Sequence, residues 1–173
     1  MQRLMPESLE TDRLLLRQFK VEDWHDLQAY YGNENCMRFT NGRALKDFES
    51  WRAMASMAGH WDLRGYGPYA VKVKSSGKVA GPVGLWYPGE WPSPEIKWGV
   101  AEEFWRQGIA KEAASAVLQT AAKQLPDVHL ISLILPGNTA SVALAESIGA
   151  QYERDCEFRG QTAMIYRHKR PDA

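Results

Sequence analysis

The stretch from Glu95 to Leu135 constrains this chain more than any other. "EIKWGV" (95–100) alternates, with Ile96, Trp98 and Val100 on one face and Glu95 and Lys97 on the other. "IAKEAASAVLQTAAKQL" (109–125) is built from strong helix formers and stopped by Pro126. "VHLISLIL" (128–135) is a nearly continuous apolar run, as a buried central strand requires. Strands that alternate with a helix in mid-chain call for a sheet whose faces are covered by helices.

The flanks read as hairpins and further helices. "DRLLLRQF" (12–19) predicts a strand, and "EDWHDLQAYYG" a helix with Trp24, Leu27, Tyr30 and Tyr31 at helical spacing. Residues 45–63 predict a second helix, with Phe48, Trp51, Met54, Met57 and Trp61 on roughly one stripe. "YAVKVK" and "VAGPVGLWYP" form a hairpin through "SSGK", and Pro82 points to an edge or a bulge. "GNTASVALAESIGA" is a short helix that Asn138 can cap and Gly149 can end. "QYERDCEFRGQTAMIYRHK" is a hairpin turning at Gly160. The expectation is a single α/β domain over residues 1–173. Its central sheet should be mixed and mostly antiparallel, of about six to seven strands, with helices on both faces.

Charge narrows the partners. Lys+Arg and Asp+Glu both total 21, so no global positive field gathers nucleic acid or an anionic membrane. Cys36 and Cys156 lie outside any CxxC pair, which argues against a disulfide scaffold or a zinc ribbon and suits a cytoplasmic protein. The four histidines form no HExxH or similar ligand set, so no metal is expected. No apolar run approaches the roughly 18 residues of a membrane span, and the N-terminus lacks the apolar core of a signal peptide.

The chemistry centres on "EEFWRQGIAKEA" (102–113), where bulky aromatics give way to Gly108 and then to a helix. A helix start after a glycine bares N–H groups and a partial positive charge that suit a phosphate or pyrophosphate. Arg106 and Lys111 flank it where acidic side chains are normally favoured, although Glu102, Glu103 and Glu112 are close by. A plain tight turn from strand to helix is the alternative. Neither GxxxxGK[ST] nor GxGxxG is present.

Three ordered segments, "LETDRLLLRQFKVEDW", "WGVAEEFWRQGIAKEA" and "NTASVALAESIGA", together resemble the GNAT superfamily of N-acetyltransferases, in particular its RimJ/RimL-like branch. The resemblance runs from about Leu9 to His168. It implies binding of acetyl-coenzyme A and transfer of the acetyl group to an amine. The family loop Q/R-x-x-G-x-G/A maps onto Trp105, Arg106, Gln107, Gly108, Ile109 and Ala110, with Trp105 departing at the first position. By this resemblance the backbone from Arg106 to Lys111 would hold the coenzyme A pyrophosphate. The strand edge at Trp98, Gly99 and Val100 would pair with the pantetheine arm, as exposed strand groups can with any extended amide chain.

Aminolysis of a thioester needs a neutral amine, stabilisation of the carbonyl oxygen and a proton for the departing thiolate. Glu95, on the strand before the loop, is the candidate base, directly or through a water; the alternative is a solvated strand carboxylate beside Lys97. In similar enzymes the asparagine of an N-x-x-S element such as Asn138 to Ser141 contacts pantetheine, while the serine lies near sulfur. Ser141 or Tyr152 could supply the thiolate proton. Trp86, Tyr87 and Trp91, among seven tryptophans and seven tyrosines, precede Glu95 and could line a pocket for an ammonium or aromatic amine. The acceptor would be a small molecule or a peptide N-terminus, and the protein a monomer or homodimer. Two rival classes are an acyl-coenzyme A sensor without turnover, which would need neither Glu95 nor Ser141, and a nucleotide-binding enzyme.

Overall fold

The computed structural model describes residues 2–169. The hairpin of β1 (Ser8–Glu10) and β2 (Leu14–Arg17) is followed by three helices, α1 (Trp24–Tyr31), α2 (Glu34–Met37) and α3 (Asp47–Arg64). Then come β3 (Pro68–Val73), β4 (Val79–Trp86) and β5 (Glu95–Trp98), before α4 (Ile109–Gln124) crosses to β6 (Ile131–Ile134). Finally α5 (Thr139–Ser147) leads into the hairpin of β7 (Ala150–Phe158) and β8 (Gln161–His168). All eight strands form one sheet, ordered β1-β2-β3-β4-β5-β6-β8-β7, in which β5 and β6 are parallel and every other adjacent pair is antiparallel. The mixed, mostly antiparallel architecture is as expected. The strand beyond the expected number is β1, whose three residues are too few to show alternation and which is held by pairing Leu9 with Leu16.

Small residues let the long helix settle closely on the sheet. Beyond Ile109 the buried side of α4 is Ala113, Ala114, Val117 and Ala121, and every residue of β4 except Trp86 is buried. A second, smaller cluster of Ile134, Ala145, Ala150 and Tyr166 joins α5 to the C-terminal strands. On α3 the buried face is Ser50, Met54, Met57, His60 and Trp61, while Phe48 and Trp51 are 58% and 47% exposed. The expected stripe therefore holds only from Met54 onward. Phe48 lies about 200° around the helix from Ser50 and so faces out.

Pro82 is not at an edge, since β4 runs between β3 and β5. A one-residue register slip accompanies it, between Val71 and Lys72 opposite Gly81 and Val79. The Pro82 carbonyl accepts the Gly99 N–H at 2.9 Å. Its missing N–H falls on the same side, where β5 has already ended at Trp98.

The bulge brings two backbones together. Gly81 has φ 154°, and a Cβ built there would lie 2.2 Å from the Gly99 carbonyl oxygen. Gly81→Ala is expected to cost roughly 2–4 kcal/mol, through backbone strain and overpacking that no side-chain motion relieves. Thermal unfolding checks this, and a melting temperature matching wild type would refute the close approach.

Candidate active site

The parallel strands β5 and β6 part almost at once. Glu95 and Ile131 are their one aligned pair, with the Ile131 N–H donating to the Pro94 carbonyl at 3.0 Å. Immediately beyond, the Ser132 hydroxyl reaches the Ile96 carbonyl at 2.8 Å, and the Leu133 N–H reaches the Glu95 carboxylate at 3.4 Å. Side chains thus satisfy groups that a continued ladder would have paired, and a fork opens between the strands.

Gly99 and Ala101 turn their N–H groups to β4, onto Pro82 and Ala80 at 2.9 and 2.8 Å. By alternation, Trp98 and Val100 turn theirs into the fork. Gly99, expected to offer its backbone to an extended arm, is therefore committed to β4. The Val100 carbonyl is also taken, by the Trp105 indole N–H at 2.7 Å. This bond gives the unusual Trp105 a role, tying the loop to the strand that precedes it.

The loop is pinned at both ends by buried Phe104 and Ile109, and residues 105–108 between them are exposed. Arg106 and Gly108 both have positive φ, 59° and 76°. The first i to i−4 bond of α4 runs from the Glu112 N–H to the Gly108 carbonyl at 3.0 Å, so the N–H groups of Ile109, Ala110 and Lys111 precede it. Glu112 does not oppose an anion there as its sequence position suggests. Its carboxylate accepts from Thr11 at 2.6 Å and from Arg13 Nε at 2.7 Å. Arg13 was not legible as a site residue. Its Nη1 donates to the Gln107 carbonyl at 2.9 Å, and its Nη2 would lie 3.4 Å from a Cβ at Gly108. Held by Glu112, this guanidinium fixes the turn from the residue just before β2, 94 positions from Gln107 in sequence.

Across the fork, the Trp98 indole donates to Ser141 Oγ at 3.2 Å, and Asn138 caps α5 by accepting the Ser141 N–H at 3.2 Å. Capping occupies the Asn138 carbonyl oxygen and leaves its amide N–H groups for another partner. Tyr152 lies elsewhere, on edge strand β7 opposite Tyr166, 54% exposed and donating to Asp155 at 3.1 Å. The structure brings Ser141 to the fork and does not bring Tyr152.

Glu95 is 7% exposed, which removes the reading of a solvated strand carboxylate. Burial pushes its carboxyl up to about 7, against the opposing pull of Lys97, Trp91, the Leu133 N–H and Arg159. Burial also lowers the Lys97 ammonium below the usual lysine range, and Glu95 counteracts this. The buried Trp91 indole nitrogen has no full hydrogen bond of its own, though it approaches the Glu95 carboxylate closely enough to favour its charge.

A histidine stands behind the fork. Ser132 has one proton, given to Ile96, so the 2.9 Å contact between Ser132 Oγ and His168 Nε2 has the imidazole donating. His168 Nδ1 is then an acceptor, buried and unpaired among the described residues. Burial takes His168 down to about 4, so it stays neutral at neutral pH.

Trp86, Tyr87 and Trp91 do come together beside Glu95, with partners the sequence did not reveal. Trp86 stacks on His60 at 4.7 Å, and Trp91 meets Trp86 at 6.3 Å and Phe158 at 4.8 Å, both edge-on. The Tyr87 N–H donates to His60 Nε2 at 2.9 Å, so His60 carries its proton on Nδ1 and gives it to the Tyr66 carbonyl at 2.7 Å. Three cations sit over these rings: Lys97 Nζ 5.1 Å from Trp86, Arg64 4.7 Å from Tyr87 and Arg159 4.8 Å from Trp91. Among the described residues no three His, Cys, Asp or Glu side chains group as a metal site, and no helix is long and apolar enough to cross a membrane.

Comparison with known proteins meets this geometry from outside. Residues 13–151 match the family described as "Acetyltransferase (GNAT) domain". The uncharacterized N-acetyltransferase p20 of Bacillus licheniformis is 27% identical over 166 residues, covering 92% of this chain and 93% of that one. An acetyltransferase crystal structure from Agrobacterium tumefaciens superposes with a TM-score of 0.84 at 24% identity, over 94% of each chain. The ribosomal-protein-S5-alanine acetyltransferase of Vibrio fischeri does so with 0.74 at 16%, over 95% of this chain and 97% of that one. At such identities the last two show the fold alone. On the extent of the family match, the chain belongs to the GNAT acetyltransferase family.

Proposed function

We propose that the protein is an acetyl-coenzyme A dependent N-acetyltransferase of RimJ/RimL-like type, acting in the cytoplasm on a primary amine of a small molecule or a protein N-terminus. The observation that carries this is the fork, with a buried carboxylate where the strands part, the N–H groups of Trp98 and Val100 turned into it by alternation, and an unpaired helix start following along the chain. An extended amide arm fits the Trp98 and Val100 N–H groups. A pyrophosphate fits the bared N–H groups from Gln107 to Lys111, with Arg106 and Lys111 beside them. The Asn138 amide is a further donor for the arm.

The bound thioester supplies an activated acyl carbon. Glu95 takes the proton of the attacking ammonium, directly or through a water, and a carboxyl near 7 is matched to that task at neutral pH. Ser141 Oγ already accepts from the Trp98 indole, which leaves its O–H to donate to the departing thiolate. Trp86, Tyr87 and Trp91 flank the path of the amine.

The direct test combines purified protein, acetyl-coenzyme A and a broad amine mixture, following thiol release and identifying acetylated products by mass. Release with product formation is expected. Tight binding without turnover would make the protein a sensor, and thermal stabilisation by ATP or NAD but not acetyl-coenzyme A would overturn the assignment. Because a thiol with pKa near 8.5 needs modest help, Ser141→Ala is expected to lower kcat about tenfold. Tyr152→Phe should change it less than about twofold. The reverse order of the two effects would return the donor role to Tyr152.

A further inference from the structure

The aromatic cluster beside Glu95 carries more positive charge than an amine substrate calls for. Lys97 and Arg159 both act on the Glu95 carboxyl, and Lys97 and Arg64 both act on His60, so three cations converge on one small surface. None of the three makes an ion pair or hydrogen bond among the described residues, although the chain as a whole balances 21 basic against 21 acidic side chains. Arg64 has a separate reason for its place, since a cation in the last turn of α3 suits the helix dipole. Lys97 and Arg159 have only the single Glu95 carboxylate between them, and burial favours its neutral form.

Arg159 is the more telling of the two. It occupies the β7–β8 turn with φ 52°, next to Gly160 at φ 76°. Asparagine, aspartate and glycine are the residues that such a turn favours. The arginine nevertheless sits there, its guanidinium over Trp91 at 4.8 Å and Phe158 at 5.4 Å. Stacked in that way, a guanidinium keeps its edge N–H groups for a planar anion.

We propose that the acceptor is a small amine that also carries an anionic oxygen group, a carboxylate or a phosphate, read by Arg159 with Lys97 while the amine faces Glu95. This deepens the acetyltransferase reading and rests on it, because it takes the Glu95 side of the fork as the acceptor side. Trp86, Trp91 and Phe158 receive the apolar part of the molecule. A peptide N-terminus fits less well, since the group next to its amine is a neutral amide.

Matched probes test this. Phenylalanine is compared with phenethylamine and phenylalaninamide, and O-phosphoethanolamine with ethanolamine, by thiol release from acetyl-coenzyme A and by saturable change in tryptophan fluorescence. Wild type is expected to favour at least one anionic probe over its neutral partners by about tenfold or more in kcat/KM, mainly through KM. The carboxylate and phosphate arms tell the two sources apart. Arg159→Asn suits the turn and removes the charge; it should lower kcat/KM for the preferred anionic probe at least about tenfold more than for its neutral partner. Equal use of the neutral probes or the amide, equal losses in the variant, or no saturable fluorescence response to either anionic probe would each overturn the proposal. Saturable binding of an anionic probe without any acetyl transfer would support the anion site and count against the acetyltransferase reading instead.

Discussion

Glu95→Gln is expected to lower kcat by about 100- to 1,000-fold and, at alkaline pH, to make the protein more stable. Both effects come from one fact, the burial of a carboxyl whose pKa is raised to about 7 from an ordinary 4.5. The folded protein favours the neutral form, so this group's contribution to stability is complete below pH 4.5 and is lost as pH rises through 7. Fully ionised, it costs roughly 3 kcal/mol, a net figure that already contains the attraction of Lys97. Glutamine keeps the acceptor for the Leu133 N–H without the charge. The two proteins should therefore melt alike near pH 5, while above pH 8 the variant should melt several degrees higher, at about 2–4 °C per kcal/mol for a chain of this size. Turnover runs the other way, since only the ionised carboxylate accepts a proton. The wild-type rate should rise through pH 7, and the variant should lack that limb and keep only the dependence set by the amine. A variant whose pH–rate profile parallels wild type, or whose stability falls alongside it at high pH, would remove Glu95 from the role of base.

Much of this site was legible because strand alternation and helix propensity are local. "EIKWGV" fixed the faces of Glu95 and Trp98, and the helix beginning at Ile109 followed from composition alone. Asn138 and Gly149 ended α5 as expected, the latter with φ 89°. What escaped depends on contacts between distant segments. Arg13 reaches Gln107, His60 reaches Tyr87, and Arg159 reaches Trp91 only once the sheet has set its strand order. Alternation also requires that the Gly99 N–H face β4 if those of Trp98 and Val100 face the fork. Residue type alone made Tyr152 a candidate donor, while its place on the edge strand follows from the order β6-β8-β7, which its local sequence does not show.

The second large effect lies at Gly108. Gly108→Glu is expected to weaken acetyl-coenzyme A binding by about 100-fold, because a carboxylate about 6 Å from a phosphate costs roughly 3 kcal/mol at an effective dielectric near 20. Geometry allows this to be separated from misfolding. A Cβ at Gly108 meets only Arg13 Nη2, at 3.4 Å, an ordinary contact. Its φ of 76° is the remaining obstacle, costing any replacement about 1–2 kcal/mol of stability. Gly108→Ala should pay that same penalty, so the loss of stability is modest and shared by all replacements. Gly108→Lys provides the decisive contrast, with the same backbone strain and similar bulk but opposite charge. It should bind acetyl-coenzyme A at least about tenfold more tightly than the glutamate variant, and that gap should narrow as salt screens the interaction. Equal dissociation constants for the glutamate, lysine and alanine variants would mean that no anion sits at the start of α4, and the placement of the pyrophosphate would fall with it.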